Sequence, residues 1–288
     1  MRIGRSVAFA LLLGCPPAAA EPFIGQFELK NLESAPGSFE FQSQNAWSWG
    51  LPPRRSAGDG EGVEFDENEI IRERYAVELE MGLTSILKMR VGVEFEKERF
   101  DEPGSVQQAN AFDELSLTEV GAEVIAVLVP REDDGAGFGL VAELEGPLDQ
   151  EDSNTLVLGA IVEFQSARWF VAAVPMLVRD FGGDTRDGER VDNKWDFAYA
   201  AQLAFALSES WSLALEGYGT VERLGSTGHP SEAAELFGDF NQHRLGPVLY
   251  YDHEGAASTT LSVGVGLLAG LNDDTPDHTL KLSIEVDF

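Results

Sequence analysis

Apolar and polar residues alternate with a period of two along most of the chain, and the pattern is clearest at its end. From Thr279 to Phe288, Leu280, Leu282, Ile284, Val286 and Phe288 share one face, while Lys281, Ser283, Glu285 and Asp287 share the other. This is the signature of a strand with one apolar and one polar side. Over 69–82, Ile71, Tyr75, Val77, Leu79 and Met81 oppose Arg72, Arg74, Glu78 and Glu80; over 86–99, Leu87, Met89, Val91, Val93 and Phe95 oppose Lys88, Arg90, Glu94 and Glu96. Similar periodicity predicts strands over 38–49, 136–146, 154–165, 168–181, 194–207, 211–223, 240–253 and 257–268. Residues 112–129 change phase partway, with Leu115, Leu117, Glu119 and Gly121 giving way to Val120, Ala122 and Val124, which predicts a bulge or a register slip. Pro175 lacks the ladder donor and predicts an edge-like or bulged position.

The polar face of these strands carries too many charges for a dry soluble core. The connections add a second regularity. Those after the odd strands are mostly long, polar or rich in Gly and Pro, whereas those after the even strands are tight, the fourth being intermediate. Twelve strands follow, and an even number puts both termini on the side of the short turns. No apolar stretch beyond the leader approaches the roughly 20 residues of a membrane helix. A chain of this kind that crosses a bilayer must do so as a closed barrel, because an open sheet leaves backbone groups unpaired in hydrocarbon. The fold class read from the sequence is therefore all-β: a transmembrane antiparallel β-barrel of twelve strands, with short periplasmic turns and longer extracellular loops. Trp47, Trp49 and Trp195 fall at the outer strand ends and Trp169 and Trp211 at the inner ends, with Tyr250 and Tyr251 approaching the inner ends. That placement predicts two aromatic girdles.

The start of the chain predicts export. Met1 to Arg5 is a short basic region, Val7 to Leu13 an apolar run, and Ala18-Ala19-Ala20 a small-residue cleavage site, so residues 1–20 read as a signal peptide. Leu12-Leu13-Gly14-Cys15 leaves a second reading, a lipoprotein site with lipid on Cys15; cleavage after Ala20 leaves no cysteine, and hence no disulfide. Residues 21–36 read either as a short added strand or as a periplasmic lead-in, with the barrel occupying 37–288. The formal charge of −30 repels nucleic acid and attracts cations into any confined space that carboxylates line.

The final strand, ending on Phe288 after Leu282, Ile284 and Val286, resembles the last strand of outer-membrane β-barrel proteins of diderm bacteria. The stretch Tyr75 to Glu94, through Glu78, Glu80, Gly82, Leu83, Thr84, Leu87 and Met89, with Phe39-Glu40-Phe41-Gln42 near the start, is similar to a set of outer-membrane transport proteins related to a phenol-degradation accessory family. These resemblances imply residence in the bacterial outer membrane, contact with its lipids, and delivery by periplasmic chaperones and the barrel-assembly machinery. They also imply handling of hydrophobic compounds.

With the apolar face outward, the polar face lines the lumen: Arg72, Arg74, Glu78, Glu80, Lys88, Arg90, Glu94, Glu96, Glu143, Glu145, Glu163, Glu216 and Glu222. Such a wall either conducts cations through water or braces an occluded barrel with Arg–Glu ladders. The chain has no Gly-x-Ser-x-Gly elbow to go with His229, His243 and His278. Asp180, Asp184 and Asp187, or Asp149, Glu151 and Asp152, lack the spacing of a calcium-binding helical loop, and no zinc or phosphate-loop pattern occurs. The reading is a non-enzymatic channel or passive transporter without cofactor, for small cations or small hydrophobic or uncharged solutes. A non-conducting structural or adhesin-like barrel and an outer-membrane acyl hydrolase are the alternatives.

Overall fold

The computed structural model describes residues 27–51, 70–100, 115–131, 134–148, 153–181, 185–186, 189–190, 194–228, 239–255 and 259–288. The signal peptide with Cys15, most of the long loops, and His229, Asp149, Glu151, Asp152, Asp184 and Asp187 lie outside the described residues. Twelve strands form the wall: β1 (Phe39–Leu51), β2 (Ile70–Thr84), β3 (Leu87–Phe100), β4 (Ser116–Val129), β5 (Gly135–Pro147), β6 (Asn154–Ser166), β7 (Trp169–Phe181), β10 (Trp195–Ala206), β11 (Trp211–Val221), β12 (Gln242–Glu254), β13 (Thr260–Gly270) and β14 (His278–Asp287). Two short strands, β8 (Thr185–Arg186) and β9 (Glu189–Arg190), pair with each other outside the barrel. Each wall strand pairs antiparallel with its sequence neighbour, and β1 closes on β14 through pairs such as Phe41 with Val286 and Gln42 with Glu285. The terminal Phe288 N–H donates to the Phe39 carbonyl at 2.9 Å, extending the seam by one residue.

The burial pattern is that of a soluble protein turned inside out. On β5, Leu140 is 46% exposed while Glu143 and Glu145 are buried; on β4, Val124 is exposed while Glu123 is 1% exposed. Alternation puts one set of side chains in lipid and the other in the lumen. A 13-residue strand such as β5 is about 43 Å long at ~3.3 Å per residue, and a tilt of about 40° leaves roughly 33 Å of height, enough to cross the bilayer's apolar band. Trp169 meets Phe205 at 4.8 Å and Trp211 meets Tyr251 at 4.8 Å at the inner end, while Trp47 meets Tyr75 at 5.8 Å and Trp49 meets His278 at 5.7 Å at the outer end. Tyr250 departs from the expected girdle: one residue out of phase with Tyr251, it turns into the lumen and donates to Glu216.

β2 and β3, β4 and β5, β6 and β7, β10 and β11, and β12 and β13 are joined in sequence by short connections at the end that holds both ends of the wall, and the longer stretches of sequence join strands at the other. The phase change in β4 is a bulge: Glu94 pairs with Glu119 and Phe95 with Leu117, so Thr118 is the extra residue. Pro175 needs no bulge. The β6–β7 ladder holds its register from Gly159–Met176 to Val162–Ala173 and omits the pairs between, while Pro175 faces Tyr199 on the β10 side.

Residues 27–36, immediately before β1, enter the barrel. They join no ladder among the described residues; Gly37 N–H donates to the Gly82 carbonyl at 2.7 Å, and above that point the segment runs up the lumen as an irregular strap. Phe27, Glu28, Lys30 and Leu32 are all buried there.

Candidate functional site: the charged and strapped lumen

One arc of the lumen, built by β1 to β5, is a carboxylate-rich wall threaded by a few bases. Cross-strand pairing of β2 with β3 sets Glu80 opposite Arg90 and Arg74 opposite Glu96. Arg90 lies 2.8 Å from Glu80 and 3.4 Å from Glu78, and Lys88 lies 2.9 Å from Glu80. Nearer the outer end, Arg74 contacts Glu96 at 2.9 Å, and Arg72 contacts Glu96 at 3.2 Å and Glu98 at 2.6 Å. Glu78, Glu94, Glu143 and Glu145 gather with Glu119, Glu123 and Arg90 around a cavity of about 10 Å³, room for about one water molecule.

The strap completes this wall. Lys30 reaches Glu123 and sits 3.2 Å from Glu143 and 3.5 Å from Glu28. Glu28 pairs with Arg90, and Asn31 accepts from Lys88 at 2.7 Å. The Leu32 N–H donates to Glu163 at 2.9 Å, whose other oxygen accepts from Arg131 at 2.9 Å. Side chains thus hold a backbone that the sheet does not.

The opposite arc is largely apolar. Val141, Val157, Ile161, Val174, Met176, Val178, Ala198, Ala200 and Ala204 face inward and are buried. Leu29 and Leu32 of the strap pack on this side, and Phe27 meets Tyr218 edge-on at 5.4 Å beneath the Arg244 guanidinium at 4.6 Å. Between the arcs, Lys281 of β14 reaches past two strands to Glu216 of β11 at 2.8 Å; Tyr218, Gln202 and Tyr250 donate to the same carboxylate.

Of the residues expected on the lumen wall, Glu78, Glu80, Lys88, Arg90, Glu94, Glu143, Glu145 and Glu163 lie around the strap and the small cavity beside it, Arg72, Arg74 and Glu96 form a separate ladder nearer the outer end, and Glu216 sits with Lys281. Glu222 stands apart, just beyond β11, where it accepts from Lys194 at 2.7 Å at the outer rim. Sequence reasoning missed Glu123, because the Thr118 bulge shifts the phase of β4, and missed Glu28 and Lys30, because their segment belongs to no ladder. Lys281 was visible as one of the polar positions of the last strand. The histidines form no serine-centred array among the described residues: His243 stacks on Tyr199, whose hydroxyl is 3.1 Å from Nδ1, and His278 lies against Trp49. Asp180 accepts from Thr155 at 3.2 Å and lies 3.8 Å from Lys194.

No known sequence family and no curated protein sequence matches the chain. In fold it is similar to the COG4313 outer membrane channel from Pseudomonas putida F1, with a TM-score of 0.58 at 12% identity over 93% of this chain and 99% of that one. The NanC porin aligns with a TM-score of 0.47 at 8% identity, over 86% of this chain and 98% of that one. The transport unit of the autotransporter AIDA-I from Escherichia coli aligns with a TM-score of 0.46 at 10% identity, over 88% of this chain and 90% of that one. The first likeness is one of fold, a closed twelve-stranded antiparallel β-barrel, and the apolar exterior is that of a barrel that crosses a membrane.

Proposed function

We propose that the protein is an outer-membrane channel whose lumen is closed at rest by its own N-terminal strap. The observation that carries this reading is the way the segment before β1 is held: Phe27, Glu28, Lys30 and Leu32 are buried in the lumen, yet they are tied to the wall by side chains and not by a β-ladder. Withdrawing them breaks ion pairs and apolar contacts but leaves every wall strand paired, so the barrel survives the motion that opens it. The space vacated is bordered by carboxylates on one side and by small apolar side chains on the other. The first border favours small cations through its summed field; the second suits small hydrophobic or uncharged solutes. The resemblance of the Gly82-Leu83-Thr84 unit to transport proteins tied to phenol degradation supports the apolar arm. Passage is passive and involves no turnover.

The test is single-channel recording in a planar bilayer under a KCl gradient, comparing the mature chain with a form lacking residues 21–36. Long-lived, cation-preferring steps from the shortened form, against small or rare openings of the mature chain, are the expected result. A folded, inserted, shortened barrel that passes no current overturns the reading and favours a non-conducting structural barrel, for which the buried Lys281–Glu216 pair is the supporting feature.

A further inference from the structure

We propose that the seam closing the barrel holds a calcium-class divalent cation, bound by Glu40 and Gln42 of β1 and by Glu285 and Asp287 of β14. Glu40 pairs directly with Asp287, and Gln42 directly with Glu285, so all four side chains enter the lumen side by side near the periplasmic mouth. One oxygen from each of the three carboxylates lies within 4.8 Å of the others. Two oxygens on one calcium ion, each about 2.3–2.6 Å from it, stand at most about 5 Å apart, so the group fits that coordination sphere. Three carboxylates this close repel one another unless protons or a cation stand between them. The neighbouring acids Glu78 and Glu80 are served by Arg90 and Lys88. Among the described residues no base lies within ion-pair distance of Glu40, Glu285 or Asp287.

Gln42 supplies the independent observation. Its side chain is 2% exposed and its Nε2 points at Glu40 and, at 3.4 Å, at Glu285, while its Oε1 is buried without a hydrogen-bond partner. A buried amide oxygen left unpaired is costly. Rotating the amide by half a turn aims that oxygen at the carboxylates, where it becomes a neutral fourth ligand to a cation. Oxygen-only donors, carboxylates plus a carbonyl, are what calcium takes, whereas magnesium demands a tighter octahedron and gives up its water reluctantly. A cation here would join the first and last strands of the wall where no covalent link does. This site does not depend on whether the lumen conducts.

The test is titration calorimetry with CaCl2 on the folded, detergent-solubilised mature chain, paired with thermal unfolding in EDTA, in CaCl2 and in MgCl2 at equal ionic strength. Saturable binding is expected at this site, with a rise in the unfolding midpoint of about 5–10 °C at a hundredfold excess over Kd and a smaller response to MgCl2. Glu285→Gln and Asp287→Asn should abolish the response while raising the midpoint in EDTA, since each removes a repelling charge; this inversion separates ligand loss from misfolding. Gln42→Met should weaken binding about tenfold or more, and Glu209→Gln, in an exposed periplasmic turn, should change nothing. A calcium response that survives Glu285→Gln and Asp287→Asn, or no saturable response in the parent chain, overturns the proposal and leaves shared protons as what relieves the cluster.

Discussion

Lys30 of the strap lies 3.2 Å from Glu143 of β5 and also pairs with Glu123 of β4, so one ammonium ties a segment outside the sheet to two neighbouring strands of the wall. Removing one partner of a buried pair costs about 3–5 kcal/mol, because the remaining charges stay buried without it. Lys30→Met is therefore expected to release the strap while leaving the barrel folded. In bilayer recordings it should open far more often than the parent chain, and limited proteolysis should cut near residue 30 sooner. Unchanged gating together with unchanged protection would show that the pair does not hold the strap.

The outward face makes a depth-dependent prediction. Leu140 lies at the middle of β5 and is 46% exposed, whereas Ile86 is 57% exposed in the short turn between β2 and β3. An arginine facing lipid costs about 2–4 kcal/mol at the bilayer midplane and about 0–1 near the interface. Leu140→Arg should lower folding stability in lipid vesicles by the larger amount and Ile86→Arg by the smaller, read from urea titrations. Equal costs at both positions would place the bilayer elsewhere on the barrel.

The wall was legible in the sequence because its two solvents differ: lipid on one face and a polar lumen on the other enforce alternation strand by strand, as in Leu280 to Phe288. Strand count and orientation followed from turn lengths. The interior was less legible for three physical reasons. A single extra residue, Thr118, inverts the phase of β4 and hides Glu123. The partners of Lys281 lie two strands beyond its nearest neighbour on that side, so pairing them needs the curvature of a closed barrel. Phe27, Glu28, Leu29 and Lys30 alternate like a strand, yet their backbone joins none; the same pattern serves a segment lying between an apolar arc and a charged one.

The Lys281–Glu216 pair lies apart from the strap's ionic contacts and predicts a loss of stability with little change in conduction. Lys281 is 2% exposed, and Glu216 accepts from it at 2.8 Å and from Tyr218 at 2.6 Å. Lys281→Met leaves Glu216 buried without its cation, at a cost of about 3–5 kcal/mol. The heat-modifiable band on a gel should convert at lower temperature than that of the parent. Adding Glu216→Gln should recover much of the loss, because the stranded charge is gone; no recovery would mean that Lys281 acts through packing alone.

Gly139 of β5 offers a way to disturb the strap from the wall. A Cβ there would stand 2.5 Å from Leu32 Cδ2 and 2.9 Å from the Ala126 carbonyl oxygen, both inside van der Waals contact, whereas a Cβ at Gly135 on the same strand meets nothing within 4 Å. The Ala126 contact lies within the β4–β5 ladder and burdens the wall equally whether the strap is docked or withdrawn, whereas the Leu32 contact exists only in the docked state, so the difference between the two states comes through the strap. Overpacking of this kind costs about 1–3 kcal/mol, which taken from the docked state multiplies the open-to-closed ratio roughly 5- to 150-fold. Gly139→Ala should therefore raise open probability and Gly135→Ala should not. Leu32→Ala removes the colliding methyl, so in the double variant the effect of the added Cβ should shrink toward zero, a coupling that two independent sites do not show. In the form lacking residues 21–36, Gly139→Ala should leave conductance unchanged; an undiminished effect there would assign the change to the wall and sink the strap as the gate it acts on.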